Sequence, residues 1–191
     1  MKNMKKLMMM ALMALMAVAA QAADDKVTLT TGDGQWLQES GKTATVEMDY
    51  SKTVAEGEPL KQYLKKRGDQ VVADWPSVAE TARLRFIEQF NRRNKKGLQI
   101  VDSGKADIKI KVIVEKLHLG NTATAVIFGG LGSAGGAEIT GKMIVTDKSG
   151  KTLAAYDLYE VRGRGATDFT EGKRLGSVYD HIIRMVIKAS K

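Results

Sequence analysis

Three glycines, Gly130, Gly132 and Gly135, form a G-x-G-x-x-G pattern, which in other proteins holds the pyrophosphate of a dinucleotide. That use requires a strand before the glycines and a helix after them, because the helix amino terminus binds the phosphate. The segment that follows, Ala137 to Thr146, alternates with period two and predicts a strand instead. No Lys-Ser or Lys-Thr pair follows the glycines, so a P-loop is excluded too. We therefore predict a loop between strands and no cofactor.

The residue types for nucleophilic or metal chemistry are scarce. The chain has no cysteine, which excludes disulfide bonds, thiolate metal sites and a cysteine nucleophile. Of the two histidines, His118 is predicted to end a strand and His181 to lie in the last helix beside Asp180. Neighbouring residues project from different sides of a helix, so Asp180 does not orient His181. We predict a non-enzymatic protein with no catalytic residue and no metal site.

The densest basic run comprises Arg92, Arg93, Lys95 and Lys96. Nucleic-acid binding would need these cations on one face with aromatic or groove-reading partners. Here they end a predicted helix, where cations interact favourably with the helix dipole. We predict a solvated helix end and no nucleic-acid partner; acidic envelope polymers and lipid headgroups are the alternative ligands.

An uncharged stretch covers residues 119–137 and contains six glycines. Two interpretations remain open: its apolar centre extends a strand into the core, or it forms an exposed contact surface for a partner protein or a membrane. Under the second interpretation the candidate contact loop consists of Val126, Ile127, Phe128, Gly129, Gly130, Leu131 and Gly132.

The amino terminus resembles an export signal. Lys2, Lys5 and Lys6 precede an apolar run over residues 7–20, and Ala20 and Ala22 suit cleavage after Ala22. The run is too short for a membrane span, which needs about 20 residues. We predict a cleavable signal peptide over residues 1–22 and a single domain over 23–191, located in the periplasm or outside the cell. Removing the three lysines lowers the net charge from +8 to +5.

Hydrophobic periodicity defines the remaining elements. Residues 23–42 are weakly patterned and predicted to be peripheral. A capping box, Ser77 with Glu80, predicts that the longest helix begins at Trp75-Pro76 and ends before Gly97. Further strands are predicted at 43–50, 98–101, 106–117, 137–146 and 153–162, and further helices from Glu58-Pro59 and over 172–189. The predicted fold class is α+β: one mixed or antiparallel sheet of about five strands, with two or three helices packed mainly on one face.

Five segments resemble a family of uncharacterised, exported envelope proteins of Bacteroides-type bacteria, grouped under a domain of unknown function. They are EPLKQYLKKRGDQVVADWP, FIEQFNRRNKKGLQI, ADIKIKVIVEKLHLGN, GGAEITGKMIVTDKSGKTLAAYDL and the glycine-rich stretch 163–176 before the closing helix. The arrangement is also similar to the periplasmic domain of the curli secretion channel and to the amino-terminal domain of TolB. These resemblances imply an α+β domain that binds other envelope proteins. The chain departs from the lipoprotein members in lacking a cysteine after the signal.

Together these observations predict an exported, non-enzymatic envelope protein that acts as a protein- or surface-interaction module. Its partner would be an unknown envelope protein or a membrane surface. The alternative is a periplasmic carrier of a small ligand or lipid held between the sheet and the helices.

Overall fold

The computed structural model describes residues 26–120, 136–163 and 170–191. The predicted signal peptide, residues 1–22, lies outside these ranges. Among the described residues there are eight strands, three α-helices and one 3-10 helix at Gln35–Gln38. The strands are β1 Lys26–Gly32, β2 Thr43–Asp49, β3 Val54–Ala55, β4 Glu58–Pro59, β5 Gln99–Ile100, β6 Ile108–His118, β7 Glu138–Asp147 and β8 Thr152–Arg162. The helices are α1 Leu60–Arg67, α2 Asp69–Arg93 and α3 Glu171–Ala189.

All eight strands belong to one mixed sheet with the order β1-β8-β7-β6-β2-β5. β6, β7, β8 and β1 pair antiparallel, whereas β2 pairs parallel with both β6 and β5. β3 adds a short parallel pairing at the end of β6 and an antiparallel one to β4. The predicted α+β class and mixed sheet are confirmed. The strand count of about five is too low, because it omits β1, which lies in the weakly patterned segment 23–42, and the two-residue strands β3 and β4, which carry too short a pattern.

One face of the sheet packs against the helices. The alternation in β6 buries Ile108, Ile110, Val112 and Val114, which join helix residues such as Phe86 in a single apolar cluster. The opposite face is polar, and ion pairs there link β2 to β6: Lys109 to Glu47 at 2.5 Å and Lys111 to Asp49 at 2.8 Å. Period two therefore separates a core face from a charged face, as the sequence predicts.

α2 and α3 run in the same direction and approach each other closely. Gly172 faces Thr81, and a Cβ at Gly176 would lie 3.0 Å from Cγ of Arg85. Farther along, Arg93 donates hydrogen bonds to Asp180. The two glycines, one helical turn apart, let the helix backbones meet, and this contact places the carboxyl-terminal half of α3 beside the end of α2.

The predicted start of the longest helix is wrong. α2 begins at Asp69, and Pro76 lies within it. An internal proline removes one backbone hydrogen bond and disfavours the helix. The apolar residues before it, Val71 and Trp75, pack against the core and favour a helical course despite that cost. Glu80 bonds to Arg83 rather than closing a capping box.

Two further expectations change in the structure. α2 ends at Arg93 with Asn94, not Gly97, as its cap. Gly97 instead allows the Leu37 backbone oxygen to come close, since a Cβ at position 97 would lie 2.0 Å from that oxygen. In the segment predicted to be peripheral, β1 does lie at an edge of the sheet. Trp36 and Leu37, however, are buried, and Trp36 Nε1 donates to Tyr156 Oη at 2.9 Å.

Candidate functional site

The contact loop predicted from sequence, from Val126 to Gly132, lies outside the described residues. The same holds for the G-x-G-x-x-G glycines, Gly130 to Gly135. Their predicted role therefore stays a prediction, and the candidate site below is built from other residues.

The two histidines have different structural partners. His118 ends β6 and pairs with Glu56. His181 Nδ1 is 2.7 Å from the carbonyl oxygen of Arg162. Within the described ranges no group of three or more His, Cys, Asp or Glu side chains could hold a metal ion. Asp180 does not orient His181 but accepts hydrogen bonds from Arg93.

An open, mostly apolar groove lies at the carboxyl end of β2, and we call it the apolar groove. It has a volume of about 460 Å³ and lies between the β2–β3 turn, the start of α1 and the first half of α2. Its lining residues are Tyr50, Ser51, Lys52, Thr53, Val54, Pro59, Leu60, Lys61, Leu64, Val72, Trp75 and Pro76. Volumes of about 300–1,000 Å³ are typical of binding pockets.

Two lining residues expose unusual apolar area. Val54 is 39% and Val72 38% exposed, and they are two of only four large apolar side chains that are exposed in the described part of the chain. The other two, Leu84 and Tyr159, do not line the groove. Single exposed apolar residues need no explanation, but two that share one concave site indicate a contact surface.

Hydrogen bonds and ring contacts fix the walls of the apolar groove. The Thr53 hydroxyl donates to Val114 O at 2.5 Å, and Leu60 N donates to Thr53 O at 2.9 Å, which ties the turn to β6 and to α1. Trp75 meets the Tyr50 ring edge to face, with 5.3 Å between centroids. The groove is thus preformed by three elements rather than by one mobile loop.

A pair of phenols connects the groove wall to α3, with Tyr50 half-buried in the wall and Tyr179 fully buried. The hydroxyls of Tyr50 and Tyr179 are 2.5 Å apart, so one donates to the other. Burial raises the pKa of the Tyr50 phenol, and burial likewise raises the pKa of Tyr179. Both phenols therefore stay neutral at ordinary pH and act as structural groups.

The rim of the apolar groove is cationic. Lys52 and Lys61 are exposed there, and no carboxylate occurs among the described residues that line it. The carboxylates closest to Lys52 and Lys61 in sequence have partners elsewhere, since Asp49 pairs with Lys111, Glu56 with His118 and Glu58 with Lys66. The groove therefore combines an apolar floor with an unneutralised positive rim.

Sequence reasoning missed this site for a specific reason. The helix was predicted to begin at Trp75 and Pro76, so Val72 lay before it and could not be placed on any face of that helix. With the helix extended to Asp69, Val72 and Trp75 stand three residues apart and share one side of α2. Val54, between Thr53 and Ala55, belongs to no apolar run long enough to show a period.

Comparisons with known proteins do not identify a family. No family model matches the chain, and no curated protein matches it. Two structures of the PelC dodecamer from Paraburkholderia phytofirmans have 14% identity and a TM-score of 0.49, covering 87% of this chain and 97% of that one. A Xanthomonas campestris protein from a family of unknown function has 9% identity and a TM-score of 0.33, covering 84% of this chain and 87% of that one.

At these identities and TM-scores the likeness assigns neither function nor partner to this chain. The three structures include neither the curli secretion channel nor TolB, so those resemblances, like the Bacteroides-type one, stay predictions. No helix among the described residues is both long and apolar enough to cross a membrane.

Proposed function

We propose that the chain is an exported, non-enzymatic interaction module of the cell envelope and that it binds a partner protein in the apolar groove. Export rests on the sequence pattern of residues 1–22. The observation that carries the binding proposal is the exposure of Val54 and Val72 in one concave site.

The occupant we propose is an apolar segment of another envelope protein that also carries acidic residues. Its apolar side chains would cover Val72 and Trp75. Its carboxylates would reach Lys52 and Lys61, which have no carboxylate neighbour in the described lining. Complementary charge favours the correct partner and speeds encounter more than it adds affinity.

The preformed walls support this assignment. Leu60 and Leu64 are buried below the groove, and the bonds of Thr53 hold the turn in place before any partner arrives. A rigid site loses little conformational entropy on binding, so a modest area can give useful affinity.

The test is position-specific crosslinking in the living host. A photo-crosslinking amino acid replaces Val72 in one variant and Leu84 in the other. Both residues lie exposed on α2, at 38% and 45%, but only Val72 lines the apolar groove. We expect one product at position 72, whose crosslinked partner peptide contains apolar residues and Asp or Glu, and no such product at position 84.

Equal products at both positions would refute the groove as the binding site. So would a partner peptide that is basic or wholly polar. A Val72→Asp variant adds a second readout: placing a carboxylate in the apolar floor should abolish the product captured by a crosslinker at Val54, and Leu84→Asp should not.

The second candidate function is a carrier of a small ligand or lipid. The observation in its favour is the groove volume of about 460 Å³, which lies in the range of small-molecule sites. The ligand would lie in this surface groove rather than between sheet and helices, where the side chains form one continuous buried cluster. A copurified small molecule in native mass spectra, lost in Val72→Asp and kept in Leu84→Asp, would favour this candidate over the first.

A further inference from the structure

A second surface, at the junction of α2 and α3, is rich in arginine. Arg92, Arg93, Arg184 and Ile187 line an open groove of about 500 Å³, which we call the arginine groove. Arg184 also lines a neighbouring groove of about 550 Å³, where Lys26, His181 and Lys188 add further basic groups. Arg184 therefore lines both basic grooves.

The cations here outnumber the anions. No carboxylate occurs among the described lining residues of either groove. The adjacent carboxylate is Asp180, and its Oδ1 accepts from Arg93 Nη2 at 2.7 Å and from Nε at 3.1 Å. Asp180 is thus shared between Arg93 and Arg184, and one carboxylate cannot balance the charge of three arginines.

Arg184 forms only a long ion pair with Asp180. Its Nη2 lies 3.6 Å from Asp180 Oδ2, which is too far for a hydrogen bond. Its Nε is buried and has no hydrogen-bond partner among the described residues. A guanidinium carries five donors, and leaving a buried donor without an acceptor costs about 1–3 kcal/mol. That Nε is buried out of reach of an outside ligand, whereas the Arg184 side chain as a whole is 33% exposed and lines the arginine groove.

Stabilisation of helix ends does not account for the whole cluster. Arg92 and Arg93 lie in the last turn of α2, where cations interact favourably with the helix dipole. Arg184 belongs to the other helix and precedes its end at Ala189 by more than one turn. Close helix packing at Gly172 and Gly176 brings the three arginines to one place.

We propose that the arginine groove binds an oxyanion of the phosphate type, with Arg184 as its principal donor and Arg92 beside it. Planar guanidinium groups donate paired hydrogen bonds to such anions, and arginine is favoured over lysine for this geometry. The same chemistry is offered by free inorganic phosphate and by the phosphate of a lipid headgroup. This site is separate from the apolar groove, and its test does not depend on the partner proposed above.

The experiment uses the purified protein in about 0.15 M sodium chloride, where long-range attraction is screened beyond about 8 Å. In one arm inorganic phosphate is titrated and backbone amide shifts are followed by NMR. In the other, sedimentation with phosphatidylglycerol vesicles is compared with sedimentation with phosphatidylcholine vesicles. We expect saturable phosphate shifts at α2 and α3 if the ligand is a free anion. Selective binding to the anionic vesicles is expected if it is a headgroup.

Matched variants decide whether the arginine groove binds the phosphate or the anionic vesicles. Arg184→Gln and, independently, Arg92→Gln each remove one charge from the groove. Lys142→Gln removes one charge from the exposed position on β7, on the opposite face of the sheet. We expect Arg184→Gln to weaken binding about tenfold, which corresponds to about 1.4 kcal/mol, and Lys142→Gln to leave it unchanged. Circular dichroism confirms that each variant is folded.

The proposal is overturned if neither phosphate nor anionic vesicles bind. It is overturned equally if Lys142→Gln weakens binding as much as the two arginine variants do, because the effect would then be one of net charge. Retention of wild-type affinity in both Arg184→Gln and Arg92→Gln would overturn it as well.

Discussion

Replacing Gly141 with alanine tests how the central strands are fitted together. Gly141 lies in β7 between two irregularities in strand pairing. On one side, Glu115 of β6 has no paired residue in β7. On the other side, Tyr159 and Glu160 of β8 both lie opposite Thr140 of β7. The resulting bends bring β6 over Gly141. A Cβ there would stand 2.0 Å from Ile113 O, an atom of the backbone that no side-chain rotation can move away.

Two opposing effects determine how much Gly141→Ala changes the free energy of unfolding. Alanine is favoured over glycine within a strand by about 0.5–1 kcal/mol. Against this, overpacking costs about 1–3 kcal/mol, and separating the strands loses at least one hydrogen bond worth about 1 kcal/mol. We therefore expect Gly141→Ala to lower the free energy of unfolding by about 2 kcal/mol.

The assay is urea unfolding followed by tryptophan fluorescence, since the chain has only Trp36 and Trp75. With a denaturant slope of about 2 kcal/mol per molar, the midpoint should fall by about 1 M. Lys142→Ala, at the adjacent exposed position, should change the free energy by no more than about 0.5 kcal/mol. A Gly141→Ala protein as stable as this control would refute the close approach of β6.

Three further changes test the core and its titrating groups. Phe86→Ala should cost about 3–5 kcal/mol in urea unfolding, because the ring is buried between Phe90 and Tyr179; a loss below about 1 kcal/mol would contradict that packing. Burial raises the pKa of Tyr50 and Tyr179 above the unfolded value of about 10, so their contribution is complete below pH 10 and is lost as the pH rises. The melting temperature should fall above pH 10, less steeply in Tyr50→Phe than in the control Tyr159→Phe; equal slopes would contradict it. A hydrogen bond from Lys111, and after it the bonds from Ser51, lower the pKa of Asp49. The stability that this carboxylate contributes is therefore present above about pH 4 and is lost as the pH falls. The free energy of unfolding should decrease less on acidification in Asp49→Asn than in the wild type, and an equal decrease would contradict this assignment.

Much of the fold could be predicted because period two and helical periodicity are strong where elements are long. β6 and α3 lie within one or two residues of their predicted bounds. The Asp147–Gly150 turn forms as its residue types indicate, with Asp147 Oδ1 accepting from Ser149 N at 2.8 Å and Gly150 at φ +86°.

What could not be predicted depends on contacts distant in sequence. α2 continues through Pro76 because Val71 and Trp75 pack against the core, which local propensity does not reveal. The parallel pairing of β2 with β6 requires a crossover through α1 and α2, and residue patterning alone does not order the strands. Trp36 and Leu37 are buried although the residues that flank the pair, Gln35 and Gln38, are polar.

The candidate sites were hidden for the same reason. The apolar groove combines residues from the β2–β3 turn, α1 and α2, and none of these segments carries a motif. The basic run at Arg92 and Arg93 was visible in the sequence, but its association with Arg184 depends on the parallel packing of α2 and α3.

The most direct test of the binding proposal reverses the charge of the groove rim. Crosslinking from position 72 is measured in cells that carry Lys52→Glu together with Lys61→Glu, and in cells that carry Lys142→Glu on the opposite face. A partner segment with carboxylates predicts that the rim reversal reduces the crosslinked product about tenfold and that Lys142→Glu leaves it unchanged. An undiminished product after the rim reversal would contradict an acidic, apolar partner in the apolar groove.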